Sequence, residues 1–207
     1  MSLSSVLQRQ TSAGYLYQEF DLDDGGMLVP GEKMTQKLGA FGSYMPDVID
    51  GAALDLGSNL GFWSWLCAER GASEVVGVET SAQRIAWCHE FQRETTQFGG
   101  VRFTSSIADA PGPFALILCF SVYHHLWGTR RDHDWWMAAL SSRLAPGGVM
   151  LHEGPFDDSD YIIRGKFPGG EWKRDEIEAA FTRHFSRWEC IGGSGHASTR
   201  EAVVLWK

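Results

Sequence analysis

Asp55, Gly57, Ser58, Asn59, Gly61 and Glu79 have the types and spacing that point most directly to chemistry. Gly57 and Gly61 can adopt a left-handed backbone and let the main chain come close to a ligand. Glu79 lies eighteen residues past Gly61, at the end of Val75-Val76-Gly77-Val78. An acid there is placed to accept both hydroxyls of a ribose. A second group, His124 and His125, follows the apolar run Phe114–Val122. Imidazole titrates near neutral pH, so either ring can take a proton from a nucleophile. Glu153 can orient an amine or a hydroxyl, or cap its own loop.

These residues meet only if the chain folds so that strand ends converge. Ala52–Leu56 is a short apolar run closed by Gly57, which predicts a buried strand. Leu60–Arg70 has helical spacing and stops at Gly71. A strand at Glu74–Val78 follows, then a helix capped by Ser81 and running to about Phe98. Val101–Thr104 and Phe114–Cys119 are further strands, and His133–Leu144 is a helix stopped by Pro146-Gly147-Gly148. Val149–His152 is a strand, Lys173–His184 a helix, and Trp188–Ile191 and Ala202–Trp206 are strands. Alternating strands and helices imply a parallel sheet covered on both faces. The last two strands are joined by too short a loop for a parallel crossover and should be antiparallel. Upstream, Leu3–Gln10 and Glu32–Tyr44 read as helices and Asp21–Gly26 as a turn.

The stretch Ala53-Leu54-Asp55-Leu56-Gly57-Ser58-Asn59-Leu60-Gly61 resembles the D-x-G-x-x-x-G motif of class I S-adenosylmethionine-dependent methyltransferases. Leu144-Ala145-Pro146-Gly147-Gly148-Val149 is similar to that family's L-x-P-G-G turn, and the resemblance runs from about Ala52 to Glu153. It implies an α/β, Rossmann-like three-layer sandwich with a mostly parallel seven-stranded sheet ending in an antiparallel hairpin. It also implies S-adenosyl-L-methionine as cofactor, with Asp55 toward its amino-acid end and Glu79 on the ribose. Ser106 stands where the family often has an acid for the adenine amine, Ile107 would pack on the ring, and Asp109 is a substitute acid. Phe120, the first residue of the loop after the fourth strand, is assigned to the cofactor site. Nicotinamide and flavin enzymes share the architecture but use G-x-G-x-x-G, and Asn59 occupies the place of the second glycine.

Phe120-Ser121-Val122-Tyr123-His124-His125-Leu126 is similar to the S-V-L-H-H-L stretch of many small-molecule methyltransferases, which makes His124, His125 and Glu153 the candidate catalytic groups. In that motif one histidine often braces the helix start. A metal reading would need His133 and Asp132 or Asp134 to converge with the pair, and no metal is expected. Loops leaving the carboxyl strand ends, Phe120–Arg131, Glu153–Trp172 and Gly192–Arg200, should face the cofactor. Within them Tyr161, Arg164, Lys166 and Trp172 are candidates for substrate selection, and His196 for reaching the cleft. Tyr17–Gly31 resembles the stretch before the cofactor motif in tRNA wobble-uridine carboxymethyl transferases, and similar segments occur in some bacterial glycan and antibiotic methyltransferases.

The composition frames these readings. The 207 residues are 43% hydrophobic and 21% charged, which fits one methyltransferase domain, with 1–50 as an N-terminal lid and 51–207 as the cofactor-binding core. Nine tryptophans either line a cleft or fill the core. A formal charge of −8 disfavours phosphate backbones, so the expected acceptor is a small molecule or glycan rather than nucleic acid. An RNA-modifying methyltransferase and a non-catalytic cofactor-binding module are the alternatives. Cys67, Cys88, Cys119 and Cys190 show no metal-ligand rhythm, and no signal peptide or membrane span is read, so a cytoplasmic protein with reduced thiols is expected.

Overall fold

The computed structural model describes residues 18–95, 98–156, 172–193 and 200–207. Its main sheet holds seven strands: β3 (Ala53–Leu56), β4 (Val75–Val78), β5 (Val101–Thr104), β6 (Phe114–Phe120), β7 (Leu144–Pro155), β8 (Arg187–Gly193) and β9 (Arg200–Trp206). Their spatial order is β5-β4-β3-β6-β7-β9-β8. The first five run parallel, and β9 pairs antiparallel with both β7 and β8. β3 lies between β4 and β6, where the order reverses, and open α/β sheets receive ligands beyond the carboxyl ends of the strands at such a point.

Helices cover both faces. On one lie α1 (Glu32–Phe41), α2 (Phe62–Glu69) and α3 (Ala82–Glu94). On the other lie α4 (Tyr123–Thr129), α5 (His133–Arg143) and α6 (Arg174–His184). Each face has its own apolar cluster. Five tryptophans, Trp63, Trp65, Trp127, Trp136 and Trp172, are buried in these clusters, so much of the tryptophan content serves packing. α2 buries Phe62 through Cys67 without a break, because it is enclosed between β3, β4 and the aromatic side chains of α3. α1 is amphipathic and buries Met34, Lys37 and Phe41 at helical spacing. No helix among the described residues is long and apolar enough to cross a membrane.

Several boundaries differ from the sequence expectation. The segment after β6, read as a loop, contains α4. Tyr123, Leu126 and Trp127 recur at i, i+3 and i+4 there, which is one face of a helix. β7 starts at Leu144 rather than Val149, because Leu144 pairs with Phe114 before a register shift carries the strand past Gly147. The Asp21–Gly26 turn is present, with Asp23 Oδ1 accepting the N–H groups of Gly25 and Met27. It joins two strands that were not expected, β1 (Phe20–Leu22) and β2 (Leu28–Pro30). α1 ends at Phe41, three residues short of Tyr44. The expected helix Leu3–Gln10 lies outside the described residues, as do Tyr161, Arg164, Lys166 and His196.

Candidate functional site

The glycine-rich turn after β3 is built from left-handed residues. Gly57, Asn59 and Gly61 have φ of 70°, 53° and 84°. Asparagine tolerates this region better than other residues with a Cβ, so Asn59 keeps the turn without a third glycine. Gly57 and Ser58 both donate N–H to the Val78 carbonyl (2.8 and 3.0 Å), which ties the turn to the end of β4. A Cβ on Gly57 would come within 2.7 Å of Val122 Cγ2, and one on Gly61 within 2.7 Å of Trp65 Nε1. Both positions therefore need glycine for space as well as for φ. Ser58 is fully buried, and its hydroxyl has no hydrogen-bond partner.

Glu79 closes the other side of this turn. Its carboxylate accepts the N–H of Asn59 (3.1 Å) and of Ser81 (2.8 Å), with the Arg84 guanidinium at 3.4 Å. It is 5% exposed and retains acceptor capacity for a further donor. Asp55 lies beneath the turn and accepts the Ser64 hydroxyl at 2.7 Å. Burial pushes its carboxyl up to about 7 in spite of that bond, and the neighbouring Glu79 charge adds to the rise. Gln18, from the N-terminal segment, reaches over to accept the N–H of Phe62 at the start of α2.

The residues expected beside an adenine lie just after β5, where Ile107–Asp109 forms a single helical turn. Ile107 is partly buried against the sheet, and the Ser106 hydroxyl accepts the N–H of Ala108. Asp109, the expected substitute acid, is engaged by the Thr104 hydroxyl at 2.8 Å.

At the ends of β6 and β7 stand the residues expected to do catalysis. His124 is buried and His125 exposed, with ring centroids 4.2 Å apart. Phe120 packs between Phe41 and Trp63, at 4.7 and 4.8 Å. Trp172, expected in a selecting loop, is buried against Tyr123 and Trp127 and donates its indole N–H to the Pro155 carbonyl. Glu153 is fully buried and paired with Lys37 Nζ at 2.8 Å. The Ser121 hydroxyl makes a short hydrogen bond to the same carboxylate oxygen. Burial alone would raise the Glu153 carboxyl, but the Lys37 ammonium, the Ser121 hydroxyl and Arg200 hold it at about 2.

Lys37, Ser121 and Gln18 were not singled out from the sequence. A signal for Lys37 was present, since it occupies the buried phase of α1 between Met34 and Phe41. Such a position holds a lysine only if a partner meets it.

The profile of the methyltransferase domain family matches residues 32–197. A ribosomal protein L11 methyltransferase of Geobacter metallireducens is 26% identical over 145 residues, 68% of this chain and 43% of that protein. An uncharacterized Synechococcus protein, syc1184_c, is 31% identical over 102 residues, 47% of this chain and 24% of its own length. This chain thus spans less than half the length of these curated relatives. Among solved structures, the YcgJ protein of Bacillus subtilis superposes with a TM-score of 0.62 at 15% identity, covering 85% of this chain and 99% of that one. A putative O-methyltransferase of Nostoc punctiforme gives 0.61 at 17% identity, over 84% and 56%. These likenesses establish a shared fold.

Proposed function

The chain belongs to the methyltransferase domain family, and on that premise we propose that it transfers a methyl group from S-adenosyl-L-methionine to an oxygen or nitrogen of a small metabolite or glycan. The observation that carries the cofactor reading is Glu79, an ionisable acceptor held at the end of β4 by the backbone of the left-handed turn it faces. The residues at the turn fit such a ligand. The Ser58 hydroxyl is a buried polar group that the fold leaves unmatched, and the Glu79 carboxylate has acceptor capacity beyond its backbone partners. Glu79 would accept the ribose hydroxyls, and Asp55 would hold the ammonium directly or through water. Ser106 and Ile107 would flank the adenine, and Phe120 would wall the methionine end.

When bound, the sulfonium supplies an electrophilic methyl for in-line displacement. The chain's own part is to position the acceptor and take up its proton. Glu153 is a poor base, because Lys37 holds its carboxyl near 2. That leaves His124 and His125 as the titratable candidates beside the turn after β6. We read residues 1–207 as one domain with 1–50 as a lid. The contacts of Gln18 with Phe62 and of Lys37 with Glu153 support that reading.

The acidic chain favours a small-molecule or glycan acceptor over RNA. The test is incorporation of labelled methyl from S-adenosylmethionine into fractionated metabolite, glycan and tRNA pools. Labelling confined to small molecules or glycans is expected. Labelling of tRNA alone would overturn the acceptor class, and tighter binding of NAD than of S-adenosylmethionine would overturn the cofactor.

A further inference from the structure

Lys37 and Glu153 form an ion pair with side chains 1% and 0% exposed, one on the helix before β3 and the other near the end of β7. Removing two charges from water costs several kcal/mol per ion, and apolar residues of similar size often fill such a site with equal or greater stability. Stability alone is therefore a weak reason for this pair. Its surroundings suggest another. Lys37 Nζ also donates to Ser121 Oγ at 3.2 Å, and the Ser121 hydroxyl donates in turn to Glu153. Ser121 has φ of 57°, a left-handed conformation uncommon for a residue with a side chain. It is braced further by its own N–H, which donates to the Glu153 carbonyl at 2.8 Å.

The next residue, Val122, fills the space that a Cβ on Gly57 would need. A contiguous chain of contacts thus runs from α1 through Lys37, Glu153, Ser121 and Val122 to Gly57. We propose that Lys37 and Glu153 are positioning residues. Through Ser121 they hold the Ser121–Val122 turn against Gly57, and so set the shape of the cofactor turn. This rests on the methyltransferase reading and adds a role for the pair within it. Neither residue needs to touch the cofactor.

The test is calorimetric titration of the full chain with S-adenosylhomocysteine, alongside thermal melting. Lys37→Met alone leaves a buried charge uncompensated and is expected to destabilise the fold, so the informative variants are Ser121→Ala and the double variant Lys37→Met with Glu153→Met. The double variant removes both charges together and should melt near the parent temperature. It should nevertheless bind S-adenosylhomocysteine about tenfold more weakly, within the span usual for coupling between separate groups. Ser121→Ala should move affinity in the same direction; it also loses a hydrogen bond to a buried carboxylate and should melt somewhat lower, so its affinity is measured at a temperature where it is fully folded. A pair that only stabilises the fold would move the melting temperature and leave affinity alone. Parent-like affinity in both variants overturns the positioning role while leaving the methyltransferase reading intact. A parent chain that binds neither S-adenosylhomocysteine nor S-adenosylmethionine overturns both.

Discussion

Asn59 and Glu79 are twenty residues apart in sequence, yet the backbone N–H of Asn59 lies 3.1 Å from the Glu79 carboxylate. The acid proposed for the ribose therefore also shapes the turn proposed to receive the ligand. Glu79→Ala should lose a charged hydrogen-bond acceptor and loosen Asn59 at once. The expected cost in S-adenosylhomocysteine affinity is about 1.5–3 kcal/mol, the range for hydrogen bonds to charged groups. Glu79→Gln keeps one acceptor oxygen and should fall between parent and Ala. Calorimetric titration checks both, and undiminished affinity in Glu79→Ala would remove Glu79 from the site.

Asp55 gives a prediction about pH. Its carboxyl ordinarily titrates at 3.8 and is pushed up to about 7, chiefly by burial. Between those values the folded protein holds a proton that the unfolded chain releases, so this group's contribution to stability falls as pH rises through that window. A ligand ammonium beside Asp55 would favour the ionised form and expel the proton. Cofactor affinity should then rise with pH toward about 7, by up to roughly tenfold per unit, and flatten above it. Titration in buffers of different ionisation enthalpy should register release of up to one proton near pH 6. Affinity independent of pH from 6 to 8 would mean that Asp55 does not face the ammonium.

The strands, their mostly parallel sense and the glycine-rich turn were legible for a physical reason. Buried parallel strands read as apolar runs, and the turn after the first of them must contain residues able to take a positive φ. Gly57 and Gly61 announce that requirement in their residue type. The buried ion pair between α1 and β7 was harder to read, because it joins positions 37 and 153, which no local spacing relates. Only the phase of α1 marked Lys37 as buried, and a lone lysine on an apolar face does not reveal its partner. Trp172 shows the opposite problem. Its place in the long segment after β7 makes it a candidate for substrate selection, but tertiary packing against Tyr123 and Trp127 makes it core.

His152 should make the fold acid-sensitive. It is fully buried on β7, neither ring nitrogen has a hydrogen-bond partner, and burial lowers its pKa from 6.5 to about 4. The unfolded chain binds this proton below about 6.5 and the folded protein only near 4. Stability is therefore lost as pH falls between those values, on the order of 3 kcal/mol across the window. Buried His133, lowered to about 4 as well, acts in the same sense, while Asp55 acts in the opposite one. The clean measurement is the difference between parent and His152→Leu in denaturant unfolding from pH 7 to pH 4. The parent should lose stability relative to the variant over that range. Parallel curves would show that His152 takes up its proton as readily in the folded protein as in the unfolded chain.

The two histidines of α4 differ sharply in exposure. His124 is 1% exposed, whereas His125 is exposed, although the rings lie within 4.2 Å of each other. A proton acceptor must exchange with solvent between turnovers, which favours His125; a buried ring serves packing better. We expect His124→Ala to lower stability by about 1–3 kcal/mol, as loss of a buried side chain does, with activity falling alongside. We expect His125→Ala to melt within about 0.5 kcal/mol of the parent. Its turnover on an identified acceptor should drop about 10²–10⁴-fold while S-adenosylhomocysteine affinity holds. Glu153 cannot substitute as base near neutral pH, because a carboxyl held at about 2 has little tendency to take a proton there. Full turnover in His125→Ala would therefore leave proximity as the main source of rate, with water receiving the proton. Asp55, held at about 7, shapes the pH profile through cofactor affinity, so the comparison is made at saturating S-adenosylmethionine, where this outcome predicts the same profile for parent and variant. A loss of turnover in His125→Ala that also changes the profile under those conditions would assign the proton to this ring.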